Sequence, residues 1–360
     1  MSPTILLLVF GDLGDAILTV PAIRAIRVRY PQARIVLLTK PLAASFITGL
    51  NLVDDVIIVE KHIFDQVRGM FRPRALLALA RLLWRLRELR PDTVVLFHHL
   101  VTVWGTLKFA LLALSSGAPR RVGIDNGRGW FLTNRVPYRG FGARHEAEYW
   151  LEVASLLDAH GRLTLAAAIT VDETASAAAL LHDWTEGIPL LAIHPGTGWY
   201  GPGRQWPPSQ FARALRLTLD ECAVRLVVVG ATEDREAATE LLAQLPADTI
   251  DLVNRTTVGE LAAVLSRASV LLANDSGVGH LAAAVGIPVV SVFGPSNDRA
   301  WKPLTATVVA ADVPCRPCFY RDFERGLAAG CATRECLALV TPVSVANSLL
   351  AVLRKGRHAD

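Results

Sequence analysis

Cysteine is scarce, with five in 360 residues. That argues against a disulfide scaffold and points to a reducing cytoplasm. Long hydrophobic runs are missing as well, although 52% of the residues are hydrophobic. Stretches such as "FALLALSSGA" after Lys108 fall short of the roughly 20 residues that a membrane-spanning helix needs. The early run "ILLLVF" has neither a basic flank nor a small-residue cleavage site behind it, so it is not a secretion signal. Charge of one sign does not dominate: a formal +4 gives no ground for a nucleic-acid partner. Two phosphate-binding signatures are absent too. There is no G-x-G-x-x-G with a downstream acid and no loop ending in Gly-Lys-Ser/Thr. No repeat of solenoid period and no low-complexity segment interrupts the chain.

What is present is an alternation of strand and helix. "TILLLVF", "ARIVLLT", "DDVIIVE" and "DTVVLFH" are short apolar runs rich in β-branched residues, with helical stretches between several of them. Gly117 to Gly142 is less regular, and a helix is expected from Glu146 to Ala159. The pattern restarts after Asp172 with "PLLAIHPG", "VRLVVVG", "DTIDLVN", "SVLLAND" and "PVVSVFGP" separated by helices, and a last helix runs from Pro342 to Leu353. At 360 residues one core is too small a container, so two parallel-sheet domains joined near residues 175 to 188 are expected.

In such sheets ligands bind beyond the carboxyl ends of the strands. The first half puts "GDLGDA" there. Its acids would repel a pyrophosphate held close to the loop, so Asp12 and Asp15 suit a neutral, hydroxyl-bearing partner. Asp15 also suits a helix N-cap, a structural role aspartate favours. The second half puts "IHPGTGWYGPGRQWP" and "NDSGVGH" at strand ends. Glycines there let backbone N–H groups approach an anion, Arg204 adds a permanently charged fork, and Asp275 or Ser276 caps a helix whose start faces a diphosphate. His280, one turn in, serves packing as readily as a ligand.

"GDLGDAILTVPAIRAIRVRYP", "IHPGTG" with "RQWP", "ANDSGVGHLAAAVGIPVVSVFGPSNDRAWKP" and a C-terminal cysteine cluster together resemble glycosyltransferase family 9, the ADP-heptose:lipopolysaccharide heptosyltransferases, from residue 4 to residue 353. The resemblance implies an α/β protein of GT-B fold, two Rossmann-like domains with parallel sheets facing across a cleft. Residues 1–175 would bind the acceptor and 176–360 the nucleotide sugar, with the last helix free to pack on either. It further implies metal-independent, cofactor-free inverting transfer of heptose from ADP-heptose to a hydroxyl of the lipopolysaccharide inner core. The acceptor would be an anionic glycolipid, met at the inner face of the cytoplasmic membrane by peripheral contact. A family 9 transferase with another nucleotide sugar or acceptor is the nearest alternative, and a GT-B-shaped sugar-nucleotide epimerase, which needs no acceptor, is the other.

Residue by residue, the resemblance places the family's Gly-Asp on Gly14 and Asp15, making Asp15 the general base. Its basic residue before Trp-Pro falls on Arg204, beside the donor phosphates with Gly196 and Thr197. Its Asp-Ser-Gly and following His fall on Asp275, Ser276, Gly277 and His280, around the donor. Two departures concern the acceptor side. Val9, Phe10, Gly11 and Asp12 stand where many relatives carry a basic residue and small hydroxyl residues, and "FHHL" stands where relatives often show Asp-x-Gln. His98 and His99 therefore either contact the acceptor or cap the strand.

Two further features are unassigned by this pattern. Between Lys61 and Arg90, eight Lys or Arg face two acids, Asp65 and Glu88. Leu82, Leu86 and Leu89 share one helical face there, with Arg81 and Arg85 off it, as in a basic amphipathic helix. That helix either is a solvated outer face or contacts an anionic acceptor or surface. Cys315, Cys318, Cys331 and Cys336 form C-x2-C and C-x4-C pairs, a spacing open to four-thiolate metal coordination or to free thiols. No metal ligand is assigned.

Overall fold

The computed structural model describes residues 2–59, 73–198, 202–319 and 331–356. The chain forms two compact units, one of Met1–Gly140 with Glu146–Leu165, the other of Phe141–His145 with Ala166–Asp360. Lys61, Asp65, Arg68 and Arg72 of the basic stretch lie outside the described residues.

The first unit runs β1 (Thr4–Val9), α1 (Leu13–Arg29), β2 (Arg34–Thr39), α2 (Pro41–Thr48), β3 (Asp55–Ile58), α3 (Pro73–Leu89), β4 (Thr93–Leu96), α4 (Val103–Ser115), β5 (Arg120–Asp125), β6 (Asn134–Pro137) and α5 (Glu146–Ser155). Its six strands are all parallel, in the order β3-β2-β1-β4-β5-β6. Helices on both faces bury the central strands completely, which is why Ile5 to Val9 form an unbroken apolar run rather than an alternating one.

The second unit contains α6 (Val171–Leu180), β7 (Leu190–His194), α7 (Pro208–Glu221), β8 (Arg225–Val228), α8 (Arg235–Leu242), β9 (Ile250–Asp251), α9 (Val258–Ser266), β10 (Val270–Asn274), α10 (Gly277–Ala284), β11 (Val289–Phe293), β12 (Ala306–Ala310) and α11 (Pro342–Gly356). Its order, β12-β11-β10-β7-β8-β9, is also all parallel. Read from β9, both sheets have the same 3-2-1-4-5-6 arrangement of a dinucleotide-binding fold. The helix α11, left open to either half by the sequence, packs on α7 and on β10, β11 and β12.

Two corrections to the sequence reading concern edges. The stretch Gly117 to Gly142, read as irregular, holds β5 and β6, and β12 also went unread. Their buried content is small: Val122 to Ile124 in β5, Val136 in β6, Val309 in β12. Strands near a sheet edge are covered on fewer sides and need fewer apolar residues, so the periodic signal is weak. Among the described residues no helix is long and apolar enough to cross a membrane.

Candidate active site

In each sheet the strand order reverses between its first and fourth strands, and that switch point is where ligands enter such folds. In the first unit it lies between β1 and β4. The chain leaves β1 through Gly11 into Asp12, the extended N-cap of α1 (φ −82°, ψ −172°). A Cβ on Gly11 would fall 2.1 Å from that of Asp15, so only glycine lets the strand approach the first helical turn this closely. The Asp12 backbone N–H donates to Asp15 Oδ2 at 3.0 Å, and Lys40 Nζ sits 3.1 Å from Asp12 Oδ1. The N-cap expected of Asp15 is instead Asp12; Asp15 is the third helical residue and its carboxylate accepts from the N-cap backbone N–H, as an acid in the first turn does, while retaining an accessible surface. Its carboxyl is nevertheless pushed up from 3.8 to about 6. Desolvation contributes most, then the Asp12 carboxylate and, more weakly, Glu146; the Asp12 N–H and Lys40 oppose them.

Beyond β4 stand the two histidines. His98 is pushed down to about 3, chiefly by desolvation, and is a neutral ring. Its Nδ1 lies 2.7 Å from the His99 carbonyl and its ring 4.5 Å from that of Phe109. His99 Nε2 meets Glu146 Oε2 at 2.5 Å, and its ring lies against Tyr138 and Trp150 at 4.9 and 5.1 Å. Glu146 is 2% exposed and its Oε1 has no hydrogen-bond partner. The sequence reading took Glu146 only as a helix start. Its one available signal was an acid opening a helix directly after His145.

In the second unit the switch point lies between β7 and β10. His194, the last residue of β7, bridges two loops: Nδ1 is 3.0 Å from Ser276 Oγ and Nε2 is 3.1 Å from Asp234 Oδ2. All three side chains are buried. Asp234 also accepts from the N–H groups of Ala231 at 2.9 Å and Gly198 at 3.2 Å. Burial works against its ionisation, but His194 and these N–H groups outweigh it and hold the carboxyl below its usual range. Gly196 is required here, since a Cβ on it would fall 1.8 Å from Asp234 Oδ1. Sequence reasoning missed both His194 and Asp234; the signal for Asp234 was an acid in the turn after β8.

Ser276 is the extended N-cap of α10, and Gly277 opens that helix. Arg204 donates to the buried Asp275 (Nη1 to Oδ2, 3.1 Å) and toward the Thr197 carbonyl (Nη2, 3.5 Å). Asn274 ties the two loops by donating to the Pro195 carbonyl at 2.7 Å and accepting from the Trp206 N–H at 2.9 Å. His280 is buried with Nδ1 unpartnered, and desolvation pushes it down to about 4 despite the opposing pull of Asp275. The second-unit residues Gly196, Thr197, Arg204, Asp275, Ser276, Gly277 and His280 therefore gather around β7 and β10. Asp12, Gly14 and Asp15 gather at β1, whereas Arg81 and Arg85 are exposed on α3.

None of the five cysteines is in a disulfide; Cys315, Cys318 and Cys331 are exposed and Cys336 is buried. Burial first, and then the other three thiols of the cluster, push Cys336 up to about 11. Among the described residues no group of three or more His, Cys, Asp or Glu is placed to hold a metal ion.

Two parallel Rossmann-like sheets in one chain, each with its polar residues at the switch point, define the GT-B class of fold. Residues 89–326 match the model of glycosyltransferase family 9 (heptosyltransferase), and the chain belongs to that family. Solved structures share its fold over nearly the whole length. The ADP-heptose LPS heptosyltransferase II of E. coli is 21% identical with a TM-score of 0.75, covering 98% of this chain and 99% of that one. A family 9 glycosyl transferase from Veillonella parvula DSM 2008 is 21% identical with a TM-score of 0.76, covering 99% of each. E. coli heptosyltransferase WaaC with ADP is 17% identical with a TM-score of 0.69, covering 97% and 99%. No curated protein matches the chain.

Proposed function

We propose that this family 9 glycosyltransferase moves a heptose from ADP-heptose to a hydroxyl of the lipopolysaccharide inner core, with inversion and with Asp15 as general base. The observation that carries the reading is Asp15 itself, a solvent-accessible carboxylate at the β1 switch point with its pKa raised to about 6. A base poised near neutrality is ionised at working pH yet basic enough to take a hydroxyl proton. The names of the similar structures, one with ADP and one an ADP-heptose LPS heptosyltransferase, support this choice of donor and acceptor.

In this reading the first unit takes the acceptor. Asp12 and Gly14 shape the loop, and Arg81 and Arg85 attract the anionic glycolipid where the protein meets the inner face of the cytoplasmic membrane. The second unit takes the nucleotide sugar. The acceptor oxygen attacks the anomeric carbon from the face opposite ADP while Asp15 receives its proton. The C–O bond to the diphosphate breaks through an oxocarbenium-like transition state. The departing charge is met by Arg204 and by the N-terminal end of α10, after Ser276, with Gly196 and Thr197 supplying close backbone approach. Asp275 holds Arg204 and His280 lines the donor side as a neutral ring. Charge compensation comes from protein groups, so transfer persists in a chelator.

Asp15→Asn tests the base. It keeps the shape but cannot take the proton, so single-turnover transfer falls by about 10²- to 10⁴-fold while ADP-heptose affinity holds. A variant retaining more than about a tenth of the wild-type rate defeats the assignment. ADP-heptose left unaltered when the acceptor is omitted distinguishes transfer from epimerisation.

A further inference from the structure

The helix α4 breaks the usual pattern of a surface helix, which turns polar residues to water. Its exposed residues are Val103, Leu107, Leu111 and Leu114, between 41% and 65% accessible, and no polar side chain of the helix is exposed with them. Their spacing of four, four and three is one stripe along the helix. The inward side of α4 is an ordinary core face, with Phe109, Leu112 and Ala113 buried against β1, β2 and β4 residues.

The same core is covered by α3 and by the loop between β5 and β6, and each also leaves a tryptophan in solvent. Trp84 on α3 is 65% exposed and Trp130 on the loop is 59% exposed, set edge-to-face against the buried Phe131. Sixteen large apolar side chains are exposed among the described residues, and eight of them come from α3, α4 and this loop. Such concentration is not the scatter of single apolar residues found on any surface. The charged residues of the two helices are Arg74, Arg81, Arg85, Arg87 and Lys108 against Glu88 alone.

We infer that α4, with Trp84 and Trp130 on the elements that share its core, is a docking face for an anionic lipid bilayer, lying in the interface with its Val and Leu stripe among the acyl chains. The chemistry of the face selects that occupant. Aliphatic side chains enter the apolar boundary, tryptophan favours the headgroup level, and arginines on long stems reach anionic headgroups while their stems stay on apolar surface. The stripe begins at Val103, four residues after His99, so one end of it adjoins the mouth of the first sheet. The inference rests on the proposed membrane contact and assigns the surface that makes it, a surface that can be tested with neither donor nor acceptor present.

Flotation with vesicles tests it. Wild-type protein floats with phosphatidylglycerol-containing vesicles and less with pure phosphatidylcholine, the difference shrinking at high salt. Leu107→Gln/Leu111→Gln lowers vesicle affinity about tenfold or more with unchanged thermal unfolding, since both positions are already in water. It also spares transfer to an acyl-free acceptor in solution. Wild-type protein that does not float, or a double variant that floats as well as wild type, overturns the inference. So does a wild-type dimer in solution that the double variant converts to monomer, since the face then belongs to a second copy.

Discussion

Asp15 and Asp234 each follow a parallel strand, the first strand (β1) of one unit and the second (β8) of the other. Each opens a helical turn and crowds a glycine, Gly11 just before the same turn in one case and Gly196 in the loop after β7 in the other. Their protonation behaviour is opposite. Asp234 is buried, yet two N–H groups and His194 hold it ionised. Asp15 is pushed up to about 6 first by desolvation and then by the negative charges of Asp12 and, more weakly, Glu146, with one backbone N–H, from Asp12, opposing them. Both carboxyls lose water, and what separates them is the number of donors spent on each.

Removing the Asp234 carboxylate should give the largest effect on stability. Asp234→Ala leaves the Ala231 and Gly198 N–H groups and the buried His194 without their acceptor, a loss of about 3 kcal/mol in denaturant unfolding. A loss below about 0.5 kcal/mol would mean the turn closes without it. Arg204→Ala comes next: it strips Asp275 of its partner and the donor of a phosphate contact, and should weaken ADP-heptose binding by about 1.5–3 kcal/mol in calorimetry. Unchanged affinity would remove Arg204 from the donor site.

The pH dependence of stability should carry opposite signs at the two acids. A carboxyl raised from 3.8 to about 6 binds more protons folded than unfolded between those values, so ionising Asp15 destabilises the fold as pH rises through that window. Asp15→Asn should then raise Tm above pH 6, with the gain fading as pH falls towards 4. Asp234, held below its ordinary value, contributes stability that is present above about pH 4 and lost on further acidification. The Tm deficit of Asp234→Ala should close in acid. A Tm difference of one sign for both variants across the range would collapse the comparison.

The smallest effect is the most specific. Asp12→Asn removes the second cause of Asp15's raised pKa and should move the acidic limb of kcat/KM downward by less than about one pH unit. A limb that stays in place assigns the ionisation elsewhere.

Much of the architecture was legible because central parallel strands are buried on both faces and must be apolar throughout. Where that demand relaxes, at β5, β6 and β12, the reading failed. The candidate residues carried by short motifs, Gly14, Asp15, Arg204 and Asp275 to Gly277, were legible as residue types at strand ends. Their partnerships were not. Glu146 lies 47 positions from His99 and Asp234 lies 40 from His194, and no local pattern links residues so far apart.

The sequence by itself determined two repeats of strand and helix, the glycines that let helix starts approach strands, and the acids placed at those starts. Only the tertiary structure decided which acid holds its proton up towards neutrality and which is held ionised. A pKa depends on the water excluded and the donors and charges brought within a few ångströms, and those come from strands and helices distant in the chain.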